Sequence, residues 1–337
     1  MAQPPPSLNR KSSAPWDRLR PVKQDPLEAM GFVSKGDNRL LDIKTQETFY
    51  NKIVARYMQF CTHHSKDLDT AFASLSLDQG PSSSSDPSRN PPVRPIPLSA
   101  NGPASAPRDG PPLAPPPQHV RPGVAAPSSE LSAILTALRK LREGLLATSR
   151  NAPSPVFSQR VHVFNIRVAI LAFHPPSYHA SLLHLLFVLH TPEYPLPRSE
   201  LVEMTTYLIL DFATRQNDIS SAYALRYNSR AKFGYDSRIT DELLRAFVND
   251  DWVTFWRNRR KVDGYVRAIL YWHEETLRRL SLKAIGRSYL ACDVNWILDS
   301  ATGGEWTWQQ LVEVEDVGWI RDGDRIIIRK PKARVAN

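Results

Sequence analysis

The chain has 337 residues, 42% hydrophobic and 23% charged, and 43 lysines and arginines against 34 aspartates and glutamates give it a formal net charge of +9. That length accommodates one large domain or two modest ones, and the basic balance favours an acidic partner, either nucleic acid or an acidic protein face. Two cysteines, Cys61 and Cys292, exclude a disulfide framework, and no apolar run reaches the ~18 residues of a membrane span, so a soluble intracellular chain with no membrane contact is expected.

Prolines divide the chain, since 21 of the 29 precede residue 129. Residues 1–37 read as a disordered tail in which Arg10, Lys11, Arg18, Arg20 and Lys23 are scattered among prolines and serines. Residues 38–76 read as a helical segment, because Phe49, Ile53, Tyr57 and Phe60 recur at spacings of three and four and share one face. Residues 77–128 hold the runs Ser82–Ser85 and Pro115–Pro117 and contain no Phe, Tyr or Trp. Such a composition cannot bury enough apolar area to offset its ordering entropy, and a disordered Pro/Ser linker is expected.

From Ser129 the helical period returns and persists to residue 286. The first helix carries Leu131, Ile134, Leu135, Leu138, Leu141 and Leu145, with Ser129 placed to cap it. Residues 157–173 form the next, with Val161, Phe164, Val168 and Leu171 on one stripe and Pro175 and Pro176 expected to end it. Residues 177–190, 199–215, 218–228, 238–249, 251–261 and 264–286 complete a run of amphipathic helices that must bury their apolar faces on neighbours. The expected architecture is mostly α, a stack of helical hairpins of α-solenoid type.

The end of the chain differs. Trp306, Trp308, Leu311 and Val312 read as a helix, and Gly318 to Arg329 as two strands joined at Asp322-Gly323, the strongest short hairpin signal. Helices followed by a hairpin over residues 287–332 describe a winged helix, with 333–337 as a tail.

No phosphate loop, nucleophile elbow or His-Glu-x-x-His zinc motif occurs, and a non-enzymatic protein without cofactor or metal is expected. His162, His174, His179, His184 and His190 cluster in sequence, but their spacing does not put three imidazoles on one helical face. Glu274 and Glu275 read as solvated on a helix surface. Basic residues are the better lead. Arg257, Arg259, Arg260 and Lys261 form a tight run. Arg279, Lys283 and Arg287 recur at four-residue spacing down one helix, and Arg325, Arg329 and Lys330 decorate the hairpin. These are the candidate nucleic-acid contacts, with solvated faces or salt bridges as the alternative. Seven of the eight tryptophans lie beyond residue 250. Trp306, Trp308, Trp319 and Ile327 are the candidate partner contacts, because Trp306 and Trp308, two apart on a helix, cannot both face inward.

Four segments carry a family likeness over roughly residues 130–330. Glu203-Met204-Thr205-Thr206-Tyr207-Leu208-Ile209-Leu210 resembles the EFTAYRIL segment of Sac-three/GANP proteins, and Asn217-Asp218-Ile219 follows as their loop and acidic residue do. Asn249-Asp250-Asp251-Trp252-Val253-Thr254-Phe255-Trp256 resembles their gNYhrFF signature, Arg278 to Tyr289 is similar to RekaLKAMiKsy, and Leu311 to Lys330 resembles the last helix and wing. The resemblance implies a PCI-type scaffold that pairs through its winged helix with a second PCI subunit, holds a small acidic subunit, and contacts RNA or DNA in nuclear mRNA transcription-coupled processing or export. No small-molecule substrate is implied. The same plan is shared by subunits of the proteasome lid, the COP-nine signalosome and the initiation-factor-three group, which leaves a purely structural subunit without nucleic-acid binding as the alternative.

Overall fold

The computed structural model describes residues 25–66, 129–149 and 155–329. The expected linker at 77–128, the last part of the N-terminal helical segment (67–76), the tail at 333–337 and Lys330 lie outside the described residues. The described chain is mostly helical, with one small sheet at its C-terminal end. Its helices are α1 (Ile43–His63), α2 (Ser129–Thr148), α3 (Val156–Leu171), α4 (Pro175–His184), α5 (Arg198–Thr214), α6 (Ile219–Phe233), α7 (Arg238–Val248), α8 (Trp252–Arg259), α9 (Gly264–Ser288), α10 (Val294–Thr302) and α11 (Trp308–Glu315). The strands are β1 (Ala291–Asp293), β2 (Ile320–Asp322) and β3 (Arg325–Ile327).

The helix boundaries follow local chemistry. Asp42, Asp218, Asp251 and Asp263 each cap a helix by accepting from the backbone N–H three residues on, that of Thr45, Ser221, Thr254 and Val266. Thr307 and Gln310 form a reciprocal capping box at α11. Gly234 and Gly303 end α6 and α10 in the left-handed conformation, at φ 69° and 66°. Pro175 and Pro176 do not end the preceding helix. That helix stops at Leu171, and the two prolines open α4 at its first positions, where a missing N–H costs nothing. The expected helix 177–190 is instead α4 followed by a π-type turn over Leu185–Leu189.

Residues 25–37, expected as tail, pack on the main body. Leu27 is buried, and Lys140 of α2 donates to the carbonyl oxygens of Leu27 (3.2 Å) and Glu28 (3.4 Å). A Cβ at Gly144 of α2 would lie 2.8 Å from Leu40 O, so only glycine admits the turn before α1 this close. Phe49, Ile53 and Phe60 of α1 are buried as expected, and Tyr50 and Tyr57 set edge-to-face contacts on Phe157 and Phe164 of α3.

Thereafter α3 packs on α4, α5 on α6 and α7 on α8, and the 25-residue α9 crosses α3 and α5 before running into the C-terminal unit. Most of the apolar core is one cluster running from Leu27 to Leu277. A second, small core belongs to the C-terminal unit: Leu282 and Ile285 of α9, Val294, Ile297 and Ala301 of α10, Trp308 and Leu311 of α11, and Ile326 of β3. The Asp322-Gly323 hairpin is present, with Gly323 at φ 60°. The sheet is antiparallel in the order β1-β3-β2, Ile326 standing opposite Cys292 and Arg321. Strand β1 and helix α10 are additions to the expected hairpin.

Candidate nucleic-acid and partner interface

The residues that carry the family likeness are mostly structural. Arg167 makes a bidentate pair with Glu203 (3.0 and 2.7 Å), and Tyr207 Oη donates to the same carboxylate at 2.9 Å. One turn on, the fully buried Asp211 accepts from Tyr178 Oη (2.7 Å), twice from Arg215 (2.7 Å each) and from Gln216 (2.8 Å), and its Oδ2 lies 3.0 Å from His179 Nδ1. Burial alone would raise this carboxyl, but the hydrogen bonds outweigh it and hold it below its ordinary value. Trp256 is buried, donates Nε1–H to Ser300 O at 3.1 Å and packs against Gly303, so it fastens α8 to α10.

The basic candidates divide into two groups. Arg259 is committed to the interior: it pairs with Glu274 at 2.5 Å and with Glu305, its side chain 12% exposed. Glu274, expected to be solvated, is buried at this pair, and burial pushes its carboxyl above the ordinary value despite Arg259. Arg257, Arg260 and Lys261 are exposed nearby, Arg260 donating to Gly303 O at 3.1 Å. The second group lies around the other side of α9. At ~100° per residue, Lys283 is about half a turn round from Glu274, nine residues back. Trp272, Thr276, Arg279, Lys283 and Arg287 therefore form one exposed stripe, with a shallow groove along Glu275, Thr276, Arg279, Leu280 and Lys283. Arg279 is tied to Glu275 (2.8 Å) and Glu315 (3.1 Å), whereas Lys283 and Arg287 have no ion-pair partner among the described residues. Arg329 joins the stripe by donating to Arg287 O at 2.7 Å. Arg325 stands on β3 opposite Asp293 and Asp322.

The tryptophans sort differently from expectation. Trp308 follows its N-cap and points into the small core, 9% exposed. Trp306 lies under the Arg278 guanidinium, 4.2 Å from ring centroid to Cζ, while that guanidinium pairs with Glu315 at 2.6 Å. Burial would raise the Glu315 carboxyl, but the bonds from Arg278 and Arg279 hold it below its ordinary value. Trp319 packs against Gly286 and the small core, and Ile327 is half-buried on the sheet face opposite Ile326. From α9 onward, the exposed large apolar side chains among the described residues are Trp272, Tyr289, Leu290, Trp296 and Ile320. Sequence reasoning missed Tyr289 and Trp296, because only their position beside a short strand leaves both rings outside.

Among the described residues no His, Cys, Asp or Glu grouping has metal-binding geometry, and no helix is long and apolar enough to cross a membrane. In comparisons with known proteins the chain matches no family model and no curated protein.

Proposed function

We propose that this protein is a non-enzymatic PCI-type scaffold of the Sac-three/GANP kind, which pairs with a second PCI subunit and contacts RNA or DNA in nuclear mRNA handling. The observation that carries the reading is the order of elements. A stack of paired helices feeds one long helix, α9, whose last turns begin a unit of helix, strand, helix, helix, strand, strand. With the sheet order β1-β3-β2, this order of elements supports reading the unit as a winged helix that closes a helical-hairpin stack.

Within that unit, the outward face of α11 presents Gln309, Gln310 and Glu313 and no cation. A helix docking on a duplex gains its affinity from positive charge on the phosphates, and this face carries a carboxylate and no cation, so it suits a protein partner. Phosphate contact falls instead to the α9 stripe. The test is capture of the tagged full chain from cells, with and without nuclease, read by mass spectrometry. A second PCI subunit and mRNA-processing factors that survive nuclease support the reading. Proteasome-lid, signalosome or initiation-factor subunits in their place would assign the chain to a purely structural assembly.

A further inference from the structure

We propose that the α9 stripe and the Tyr289–Trp296 pair together form a binding site for single-stranded nucleic acid, taken by its phosphates and unstacked bases. This rests on the nucleic-acid half of the proposed function and specifies where on the molecule, and in which strand form, the ligand is held.

Three observations converge. Lys283 and Arg287 are exposed, four residues and so ~6 Å apart along α9, and neither is ion-paired among the described residues. Arg329 extends the row, fixed by its bond to Arg287 O (2.7 Å). The row ends at exposed rings: Tyr289 is the C-cap residue of α9, 46% exposed, and meets Trp296, 41% exposed, edge-on at 5.4 Å between centroids. Leu290, 52% exposed, lies between them in sequence, and its carbonyl accepts from Arg329 N at 3.1 Å, so the Arg329 backbone runs against the segment that joins the two rings.

In the isolated chain Tyr289, Leu290 and Trp296 stand in water, and surface phosphate binding alone has no use for them. Cations in a row ending on exposed ring faces match a single strand, whose phosphates pair with the cations while a splayed base stacks on a ring. In a duplex the bases are already stacked and cannot reach the rings. The outward face of α11 carries Glu313 and no cation, which disfavours docking that face against duplex phosphates.

The test uses the full chain and a fluorescein-labelled twelve-nucleotide oligouridine, read by anisotropy and by tryptophan quenching over a salt series, with a matched RNA duplex and a poly-glutamate peptide as comparators. The expected result is at least tenfold preference for the single strand, with quenching. Trp296→Ala weakens binding about tenfold and leaves the salt slope unchanged. Lys283→Ala/Arg287→Ala lowers the slope of log affinity on log salt by about 1.4, two phosphates' worth for a single strand. All three replaced side chains are exposed, and far-UV circular dichroism checks that each variant folds. Duplex bound as tightly as single strand, a folded Trp296→Ala with wild-type affinity, or equal displacement by poly-glutamate overturns the inference. Absence of oligouridine binding while a PCI partner is still captured through nuclease overturns it and leaves the scaffold reading standing. Oligouridine binding as described, with lid-type subunits captured, does the reverse.

Discussion

Replacing Glu315 with Gln tests how the C-terminal unit is held to the helical stack. Glu315 ends α11, its side chain 5% exposed, and it neutralises Arg278 of α9, whose side chain is 9% exposed. Glutamine keeps an acceptor but leaves the Arg278 guanidinium buried without its counter-charge, a loss that costs about 3–5 kcal/mol in buried pairs. The lower end applies, because Arg278 keeps its place over the Trp306 ring, 4.2 Å away, an interaction worth about 1 kcal/mol. The second arm adds little: Arg279 is 51% exposed, and such exposed pairs contribute under about 1 kcal/mol. We expect Glu315→Gln to cost about 3 kcal/mol in urea denaturation. Because the unit has its own small core, the loss should appear first as faster amide exchange at Ile326 and Leu311 rather than in α3 or α5. In a double-mutant cycle with Arg278→Met, the two losses should be strongly non-additive. A variant within about 0.5 kcal/mol of wild type, or an additive cycle, would refute the anchoring role. The pH sign follows from the depressed carboxyl: the stabilisation is present above its ordinary value of 4.5 and is lost as pH falls through the lower folded value.

Glu274→Gln should cost less than Glu315→Gln in the same measurement, because burial already disfavours the Glu274 charge and Arg259 keeps Glu305 as a partner; an equal or larger loss would contradict this. His162, 3% exposed and with neither ring nitrogen hydrogen-bonded, is pushed down to about 3 by burial, with His184 and Arg142 adding to it. The unfolded chain takes up that proton as pH falls through 6.5, so wild type should lose about 1.6 kcal/mol between pH 6.5 and 5 from this residue alone. His162→Leu should flatten that slope in urea melts, and parallel pH profiles would rule the effect out. Gly144→Ala should loosen the N-terminal segment: the contact 2.8 Å from Leu40 O outweighs the ~1 kcal/mol gain in helix propensity. Faster proteolysis between Asp25 and His63 checks it.

The helices were legible wherever one face is apolar at helical spacing. Leu131 to Leu145 predicted α2, and Phe49, Ile53 and Phe60 predicted the buried side of α1, because burial and local periodicity coincide there. The Asp322-Gly323 turn was legible because its backbone demands are local. What failed depends on partners distant in sequence. Arg259 looked like one of four surface cations until Glu274 and Glu305 met it. The two-residue spacing of Trp306 and Trp308 says that they cannot both face inward but not which turns away or that Arg278 covers Trp306. Strand β1 is three residues, Ala291-Cys292-Asp293, too short for any alternation to register, so the exposed Tyr289–Trp296 pair that it positions was invisible as well. Pro175 and Pro176 are ambiguous in sequence, because the missing N–H that stops one helix equally suits the start of the next.

The most direct test of the scaffold account compares nuclease-treated capture by the wild-type chain with capture by Gln309→Arg/Glu313→Arg, changed only on the exposed face of α11. The account predicts that wild type retains a second PCI subunit together with mRNA-processing factors, and that the variant, folded by circular dichroism, loses that subunit. Retention of the same subunit by the variant would contradict pairing through this face, and capture of proteasome-lid, signalosome or initiation-factor subunits by the wild type would contradict the proposed function itself.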